Sequence, residues 1–465
     1  MTSPDLSPDL SHEFAAYIAA CTYDDLTPDA VDRAKKSIFD LLGCILAAGG
    51  TVPAISGVME MARENGGEPT CSVLGYGDRL PPLMAAFANG SMAHCLDFDD
   101  VAPDGNHASS SLIPAVFAAA EHKGGVSGKR IITAVAIGQD IFLRLRRSLN
   151  AQRLDWLTTT VLGIFSATAG VSYVLGLDAK QTANALGIAA LSSCGTLEIR
   201  FGTGSDLGEF YAGFLAKNAV LSATLAQKGV TGLQRVFEGQ AGIMNVYFNG
   251  DYSRERALAG LGKEFKGGEM QYKPYPVCGI ANTYIYATLE LLREHNIAAE
   301  DIVELRAFVG DFQQRMSKPL DERRAPQMAM DARFSMPFCL AVAAAHGAVK
   351  VEHFTEEGLR DPKTLDMAQR VLPVDDSAFD WTGEMPEAKI EIDLKSGKTV
   401  VGTSAGQTPG TRANPMGWPE LIEKFRDCAQ FAAKPVAAEA IERVIALSQA
   451  LESLDDGTEI TRLLT

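Results

Sequence analysis

The chain has 465 residues, 46% of them hydrophobic and 22% charged, a composition typical of a globular protein with two or three domains. Its 42 Lys and Arg against 58 Asp and Glu give a formal charge of −16, so we expect neither nucleic acid nor an anionic membrane as a partner. The eight cysteines form no C-x-x-C pair, and the N-terminal sequence has neither the basic nor the apolar region of a signal peptide. We therefore expect reduced thiols, no membrane segment and a cytoplasmic location.

Apolar residues recur at helical spacing through the first 265 residues. Thr27 before Pro28 is typical of a helix start, and Gly49-Gly50 is typical of a helix end, so one helix is predicted between them. The same signals predict helices over 82–90, 109–122, 127–148, 161–177 and 205–229. Abundant Gly and Ala in these segments favour a compact helical bundle.

The character of the sequence changes at a polar segment that carries prolines, Lys263–Pro276, which indicates a domain boundary. Ile302–Val309 partly alternates apolar and polar residues and predicts a strand, and 389–401 predicts a β-hairpin. The sequence therefore predicts a mainly α protein with a large all-helical domain and a smaller α+β domain. The predicted boundaries are 1–268 for the first part of the helical domain, 269–405 for the α+β domain, and 406–465 for C-terminal helices that return to the helical domain.

An acidic segment between two apolar helices is the first candidate for chemistry. It runs from His94 to His107 and contains Asp97, Asp99 and Asp100. Such a segment is costly to hold unless it is exposed or lines a cavity, although its aspartates can also simply cap turns. Its spacing does not match a calcium loop, so we expect no metal.

Directly after this segment, Ser109-Ser110-Ser111 begins a predicted helix. The unpaired N–H groups of a helix start bind anions, so we expect Ser109 and Ser110 to hold a substrate carboxylate. His107 lies beside this position. Oriented by Asp97, it can remove a proton from the carbon next to that carboxylate.

Four segments together give the chain a recognisable signature, and the resemblance covers nearly its whole length. They are Ala86–Gly90 with His94–Asp100, Ala212-Gly213 leading to Leu225–Gly232, Lys273–Cys278, and Ala332–Pro337. With them the sequence resembles the MmgE/PrpD family, which includes 2-methylcitrate dehydratase, cis-aconitate decarboxylase and iminodisuccinate epimerase. The resemblance implies an α+β lid over a helical domain, an active site between the two, a homodimer and no cofactor.

The family's site residues match this chain in part. Asp97 and His107 fall at its active-site aspartate and catalytic histidine. The decarboxylase pattern has threonine, histidine, lysine, histidine and tyrosine where this chain has Val101, Leu157, Gly208, Asn282 and Phe338.

Loss of those groups removes the natural proton donors for a leaving hydroxide or for the carbon left after decarboxylation. It also removes positive charge, so we expect a substrate that is less charged than aconitate or methylcitrate. Arg200, Lys273 and Arg333 are the nearest remaining cations, although structural salt bridges are an equal alternative for the two arginines. The residues predicted to bind substrate are Ser109, Ser110, Lys273, Tyr211, Asn282 and Arg333.

Removal of a proton next to a carboxylate leads to more than one reaction. The first hypothesis is a cofactor-independent, dehydratase-like lyase that acts on a small carboxylic acid other than the family's usual substrates. The first alternative is an epimerase, in which the proton returns on the opposite face. The second is a catalytically silent relative that binds a metabolite through the same cleft.

Overall fold

The computed structural model describes residues 8–150, 155–201, 204–382 and 385–465, with the side chains of residues 200 and 201 outside that description. Helices dominate, so the mainly α class is confirmed. Up to residue 258 the helices are α1 (Leu10–Ala20), α2 (Pro28–Thr51), α3 (Ile55–Glu64), α4 (Pro82–Ala93), α5 (Ser109–Lys123), α6 (Gly128–Ser148), α7 (Thr158–Leu175), α8 (Ala179–Ala189), α9 (Glu198–Phe201), α10 (Leu207–Gln227), α11 (Ile243–Phe248) and α12 (Arg254–Leu258).

The second half of the chain alternates helices with strands. Its helices are α13 (Gly279–His295), α14 (Leu320–Arg324), α15 (Ala329–Arg333), α16 (Met336–His346), α17 (Pro362–Gln369), α18 (Trp418–Ala429), α19 (Ala438–Gln449) and α20 (Glu459–Arg462). The strands among the described residues are β1 (Cys71–Val73), β2 (Asp78–Leu80), β3 (Ile302–Val309), β4 (Val371–Asp375), β5 (Lys389–Leu394) and β6 (Thr399–Thr403).

Four of these strands form one sheet in the order β4-β3-β5-β6. β3 is parallel to β4 and antiparallel to β5, which forms a hairpin with β6. The predicted strand over 302–309 and the predicted hairpin are thus confirmed. β4 and the short β1–β2 hairpin were not predicted, because their few residues give too little alternation to detect.

Buried apolar residues form two separate clusters. The first cluster contains residues of the eight helices from α1 through α8, of α10, and of the C-terminal helices α18 and α19. The second cluster contains residues of α13, α16 and the four-stranded sheet. We call the first group the helical part and the second the α+β part. The domain limits at residues 268 and 405, and the action of the α+β part as a lid, stay predictions.

The long apolar helix α7 has the length and composition of a membrane span, but 89% of its 18 residues are buried inside the protein. It packs against α5, α6 and α10. Its apolar composition is therefore explained by its central position in the helical part.

The start of α2 is as predicted, because the Thr27 hydroxyl oxygen accepts a hydrogen bond from the Ala30 N–H at 3.2 Å. Its predicted end at Gly49-Gly50 is wrong, since the helix continues to Thr51. A Cβ atom on Gly50 would lie 1.9 Å from the carbonyl oxygen of Phe431. This glycine therefore allows the C-terminal segment to pack closely on the helix and does not end it.

A second close approach brings α4, the helix before the acidic segment, against α10. A Cβ atom on Gly90 of α4 would lie 2.8 Å from Gly213 Cα on α10, and one on Gly213 would lie 2.5 Å from the carbonyl oxygen of Phe87. The two glycines let the helix backbones touch. As a result, the end of α4, which leads into His94, lies beside the first turn of α10.

Candidate active site

His107 is held by Asp99, for which the sequence predicted at most a role in capping a turn. Its Nδ1 lies 2.9 Å from Asp99 Oδ2, while its Nε2 lies 3.4 Å from Asp97 Oδ1. Asp97, predicted to orient the imidazole, thus faces the other ring nitrogen. The orienting contact comes from Asp99, two residues further along the loop.

Asp99 binds a second imidazole with its other oxygen, since Asp99 Oδ1 lies 2.8 Å from His94 Nδ1. Burial alone would raise the pKa of Asp99, but the two adjacent imidazoles lower that pKa well below its ordinary value. An ionised carboxylate only accepts hydrogen bonds, so both Nδ1 atoms carry hydrogen. In neutral His107 the lone pair is then on Nε2, and this nitrogen is the basic one.

The two histidine rings also touch each other, with centroids 4.4 Å apart in an edge-to-face arrangement. The ring of Tyr211 packs on His94 at a centroid distance of 4.8 Å. Tyr211, predicted to bind substrate, therefore supports the histidine pair through direct contact with one of its members.

Asp97 has an unusual backbone with φ at +47°, in the left-handed region that costs a residue other than glycine roughly 1–3 kcal/mol. Lys273 holds this conformation, because its ammonium group donates to the Asp97 carbonyl oxygen at 2.8 Å and forms an ion pair with the carboxylate. An ammonium group has three N–H donors, and these two contacts leave one for a further acceptor.

A buried lysine from α18 completes this arrangement. Lys424 Nζ lies 2.7 Å from Asp40 Oδ1 and donates to the carbonyl oxygens of Phe98 and Lys273 at 2.6 and 3.1 Å. It also lies 3.7 Å from the centroid of the Phe98 ring. One residue of the C-terminal helices thus fixes the backbone between Asp97 and Asp99 and the segment that carries Lys273.

The hydroxyl of Ser109, predicted to hold a substrate anion, points into the protein. It donates to Asp100 Oδ2 at 2.7 Å and accepts from Gln139 Nε2 at 2.9 Å. Burial raises the pKa of Asp100 to about 8, so this carboxyl is largely neutral at pH 7. The Ser110 hydroxyl oxygen is also buried, and it meets no hydrogen-bond partner among the described residues. Of the two serines, Ser110 alone keeps an uncommitted side chain.

Asn282 lies in the first turn of α13. Its Nδ2 donates to the carbonyl oxygens of Val277 and Cys278 at 3.3 and 3.1 Å, and its Oδ1 accepts from the Tyr275 N–H at 3.2 Å. Both polar atoms are therefore engaged by the backbone of the segment that follows Lys273. The predicted role of Asn282 in substrate binding is replaced by one in shaping that segment.

Arg333 and Glu209 meet across the boundary between the α+β and helical parts. Arg333 Nη1 donates to Glu209 Oε1 and to the Cys95 carbonyl oxygen, both at 2.8 Å. The buried Nε of Arg333 meets no acceptor among the described residues. The two side chains line a cavity of about 10 Å³, room for about one water molecule. The other residues around it are His94, Cys95, Asp97, Gly208, Met330 and Phe334.

Burial raises the pKa of Glu209 to about 7, and the nearby Arg333 limits the rise. The sequence gave no sign of this, because a lone glutamate in the first turn of a helix is ordinarily exposed and favoured by the helix dipole. The side chain of Arg200, the remaining predicted cation, lies outside the described residues.

His94, Asp97, Asp99 and His107 each place an atom of a metal-binding type within 4.8 Å of the others. Both oxygens of Asp99 already bind imidazole nitrogens, and an ammonium group already binds Asp97. Hydrogen bonds and an ion pair therefore account for the proximity of these groups. The expectation of no metal stays a prediction.

Comparison with known protein families gives two matches. Residues 12–255 match the model of the MmgE/PrpD N-terminal domain, and residues 275–450 match that of the MmgE/PrpD C-terminal domain. The chain belongs to the MmgE/PrpD family. The resemblance inferred from the sequence motifs is thereby confirmed.

Curated MmgE/PrpD relatives match over almost the full length of the chain. The cis-aconitate decarboxylase of Aspergillus terreus is 26% identical, over 95% of this chain and 92% of its own. That of Homo sapiens is 24% identical, over 98% and 94%. The 2-methylcitrate dehydratase of Salmonella typhimurium is 22% identical, over 91% of each chain. These relatives are lyases with different reactions, so identity at this level does not choose between decarboxylation and dehydration.

Proposed function

We propose that this protein is a lyase that removes a proton from the carbon next to a carboxylate of a small carboxylic acid and then eliminates water. The hydrogen bond between His107 Nδ1 and the ionised Asp99 carries the proposal. It leaves Nε2 as the base and places a negative charge behind the imidazolium that forms when the ring accepts a proton.

Two cations suit the substrate carboxylate. Lys273 has an N–H beyond those bound to Asp97, and the buried Nε of Arg333 meets no acceptor among the described residues. A carboxylate bound between them would satisfy both donors and would withdraw electron density from the neighbouring carbon, which makes its proton easier to remove.

The residues that the resemblance aligns with the decarboxylase pattern argue against decarboxylation, and elimination needs an acid from another position. Val101, Leu157 and Phe338 are apolar, and their side chains cannot deliver a proton to the carbon that remains after carbon dioxide leaves. Asn282 uses both its polar atoms on backbone groups.

Substrate entry requires movement, because the cavity beside Asp97 is too small for a carboxylic acid. We propose that the α+β part acts as a lid, since Met330, Arg333 and Phe334 form one side of this cavity.

We also propose a homodimer. Leu207, Phe214 and Leu221 follow one another at seven-residue spacing on α10 and expose 56%, 42% and 39% of their surface, which leaves an apolar stripe for a second copy.

The test is a panel of acids in D2O: 2-methylcitrate, citrate, malate and 3-hydroxybutyrate for elimination, and cis-aconitate for decarboxylation. We expect deuterium to enter the carbon next to a carboxylate and an alkene to form from at least one hydroxy acid. His107→Ala should lower both rates by roughly 10²–10⁴-fold. Equal exchange by this variant would remove His107 as the base, and carbon dioxide release from cis-aconitate without any dehydration would overturn the elimination.

A further inference from the structure

The elimination proposed above needs an acid as well as a base, and the sequence offers none at the family's expected positions. Hydroxide is a poor leaving group, so the C–O bond breaks readily only when the oxygen receives a proton. The required group must lie in the same cavity as Asp97, be protonated near neutral pH and differ from the base itself.

We infer that Glu209 is this acid and donates its carboxyl proton to the leaving oxygen of the substrate. Its side chain lines the cavity together with His94 and Asp97, and its Oε1 is fixed at 2.8 Å from Arg333 Nη1. The close contact of α4 and α10 at Gly90 and Gly213 brings the first turn of α10, where Glu209 lies, to the segment that carries the base.

The surroundings of Glu209 keep it protonated in part at neutral pH. Burial raises its pKa, and Asp206, Asp331 and Asp97 raise it further, while Arg333 opposes the rise. His94 and Cys95 are the other titratable groups around the cavity, and burial raises the pKa of the Cys95 thiol, which stays neutral. A carboxyl group with a pKa of about 7 can both give and regain a proton at the working pH.

The step balances without any further reactant. His107 Nε2 takes the proton from the carbon next to the carboxylate, and the C–H electron pair stays on the resulting carbanion, which can regain a proton, until it forms the new C=C bond. The C–O bond breaks, and the oxygen leaves with its electron pair and the Glu209 proton as water. The enzyme is left with protonated His107 and ionised Glu209, and proton exchange with solvent restores both groups.

This inference rests on the proposed function, so its test separates acid from base. Glu209→Gln keeps an oxygen for Arg333 but has no acidic proton. With the best hydroxy acid of the panel, we expect dehydration to fall by roughly 10²–10⁴-fold while deuterium exchange at the adjacent carbon persists. Glu209→Asp, which keeps an acid, should recover part of the dehydration rate. Glu255→Gln, which alters an exposed glutamate of α12 that does not line the cavity, should stay within a few-fold of wild type.

A change of leaving group distinguishes an acid from a structural residue. Fluoride is a much weaker base than hydroxide and leaves without a proton donor, so Glu209→Gln should retain most of its activity on the analogue in which fluorine replaces the hydroxyl. The wild-type dehydration rate should also fall above about pH 7, where Glu209 loses its proton. The dehydration rate of Glu209→Gln should not show this decrease at high pH.

Equal losses on the hydroxy and fluoro substrates, or no loss on either, would overturn the assignment of Glu209. Wild-type exchange without dehydration would overturn the elimination together with the role of Glu209, and would leave His107 as the base. Neither exchange nor dehydration by wild type would overturn the proposed function itself.

Discussion

Replacing Asp99 with asparagine should remove the function of His107 as a base, although His107 itself is unchanged. Asp99 accepts hydrogen bonds from two Nδ1–H groups at 2.8 and 2.9 Å, whereas an amide offers one oxygen and one NH2 group. If the NH2 group faces His107, the ring proton must move to Nε2 and the base is lost, a change that costs about 10⁴-fold in a serine protease triad. If the oxygen faces His107, the counter-charge is still lost, and we expect a decrease of about 10²-fold.

The assay is deuterium exchange at the carbon next to the carboxylate, because it reports proton removal alone. A decrease of 10²–10⁴-fold corresponds to roughly 2.7–5.4 kcal/mol of lost transition-state stabilisation. Asp100→Asn is the matched control. Asp100 is equally buried, but with a pKa of about 8 it is already largely neutral at pH 7, so its amide should keep nearly full activity. Equal rates for the two variants would refute the role given to Asp99.

Three further predictions concern stability and assembly. Lys424→Met leaves the buried carboxylate of Asp40 unpaired and should lower the free energy of unfolding in urea by about 3–5 kcal/mol; a change below 1 kcal/mol would contradict the importance of this pair. Asp100 keeps its proton in the folded protein up to about pH 8 but loses it near pH 3.9 when unfolded, so wild type loses stability as pH rises between these values. Asp100→Asn should therefore gain stability relative to wild type from pH 5 to pH 8, as urea midpoints would show, and a constant difference would exclude this titration. Leu221→Glu should yield monomers in light scattering, whereas Leu372→Glu on β4, with similar exposure, should not; an unchanged mass for Leu221→Glu would rule out the α10 interface.

Local patterns in the sequence were sufficient for most of the fold. The cap at Thr27 predicted the start of α2, and alternation over Ile302–Val309 predicted β3, because both signals arise from neighbouring residues. The need for glycine at position 50 arises instead from its close approach to Phe431, which lies far away in the chain. No local pattern contains that information.

The candidate site, like the fold, could be predicted from the sequence only in part. The motif drew attention to Asp97 and His107, but which aspartate orients the ring depends on the left-handed turn at Asp97, which no spacing rule predicts for a residue other than glycine. The role of Glu209 could not be predicted from the sequence, because its buried position depends on contact with Arg333. Arg333 belongs to the α+β part and lies 124 positions further along the chain. Distant pairs of this kind can be found only in three dimensions.

The buried contact of Lys424 with the backbone beside Asp99 has a consequence for biosynthesis. At about 5–20 residues per second, roughly 15–65 s pass between the synthesis of Asp99 and that of Lys424 on the ribosome. Throughout that time the acidic loop lacks the ammonium group that fixes it. A nascent chain can therefore pack its early helices while its reaction centre stays unformed, and a message truncated before α18 would encode an inactive protein.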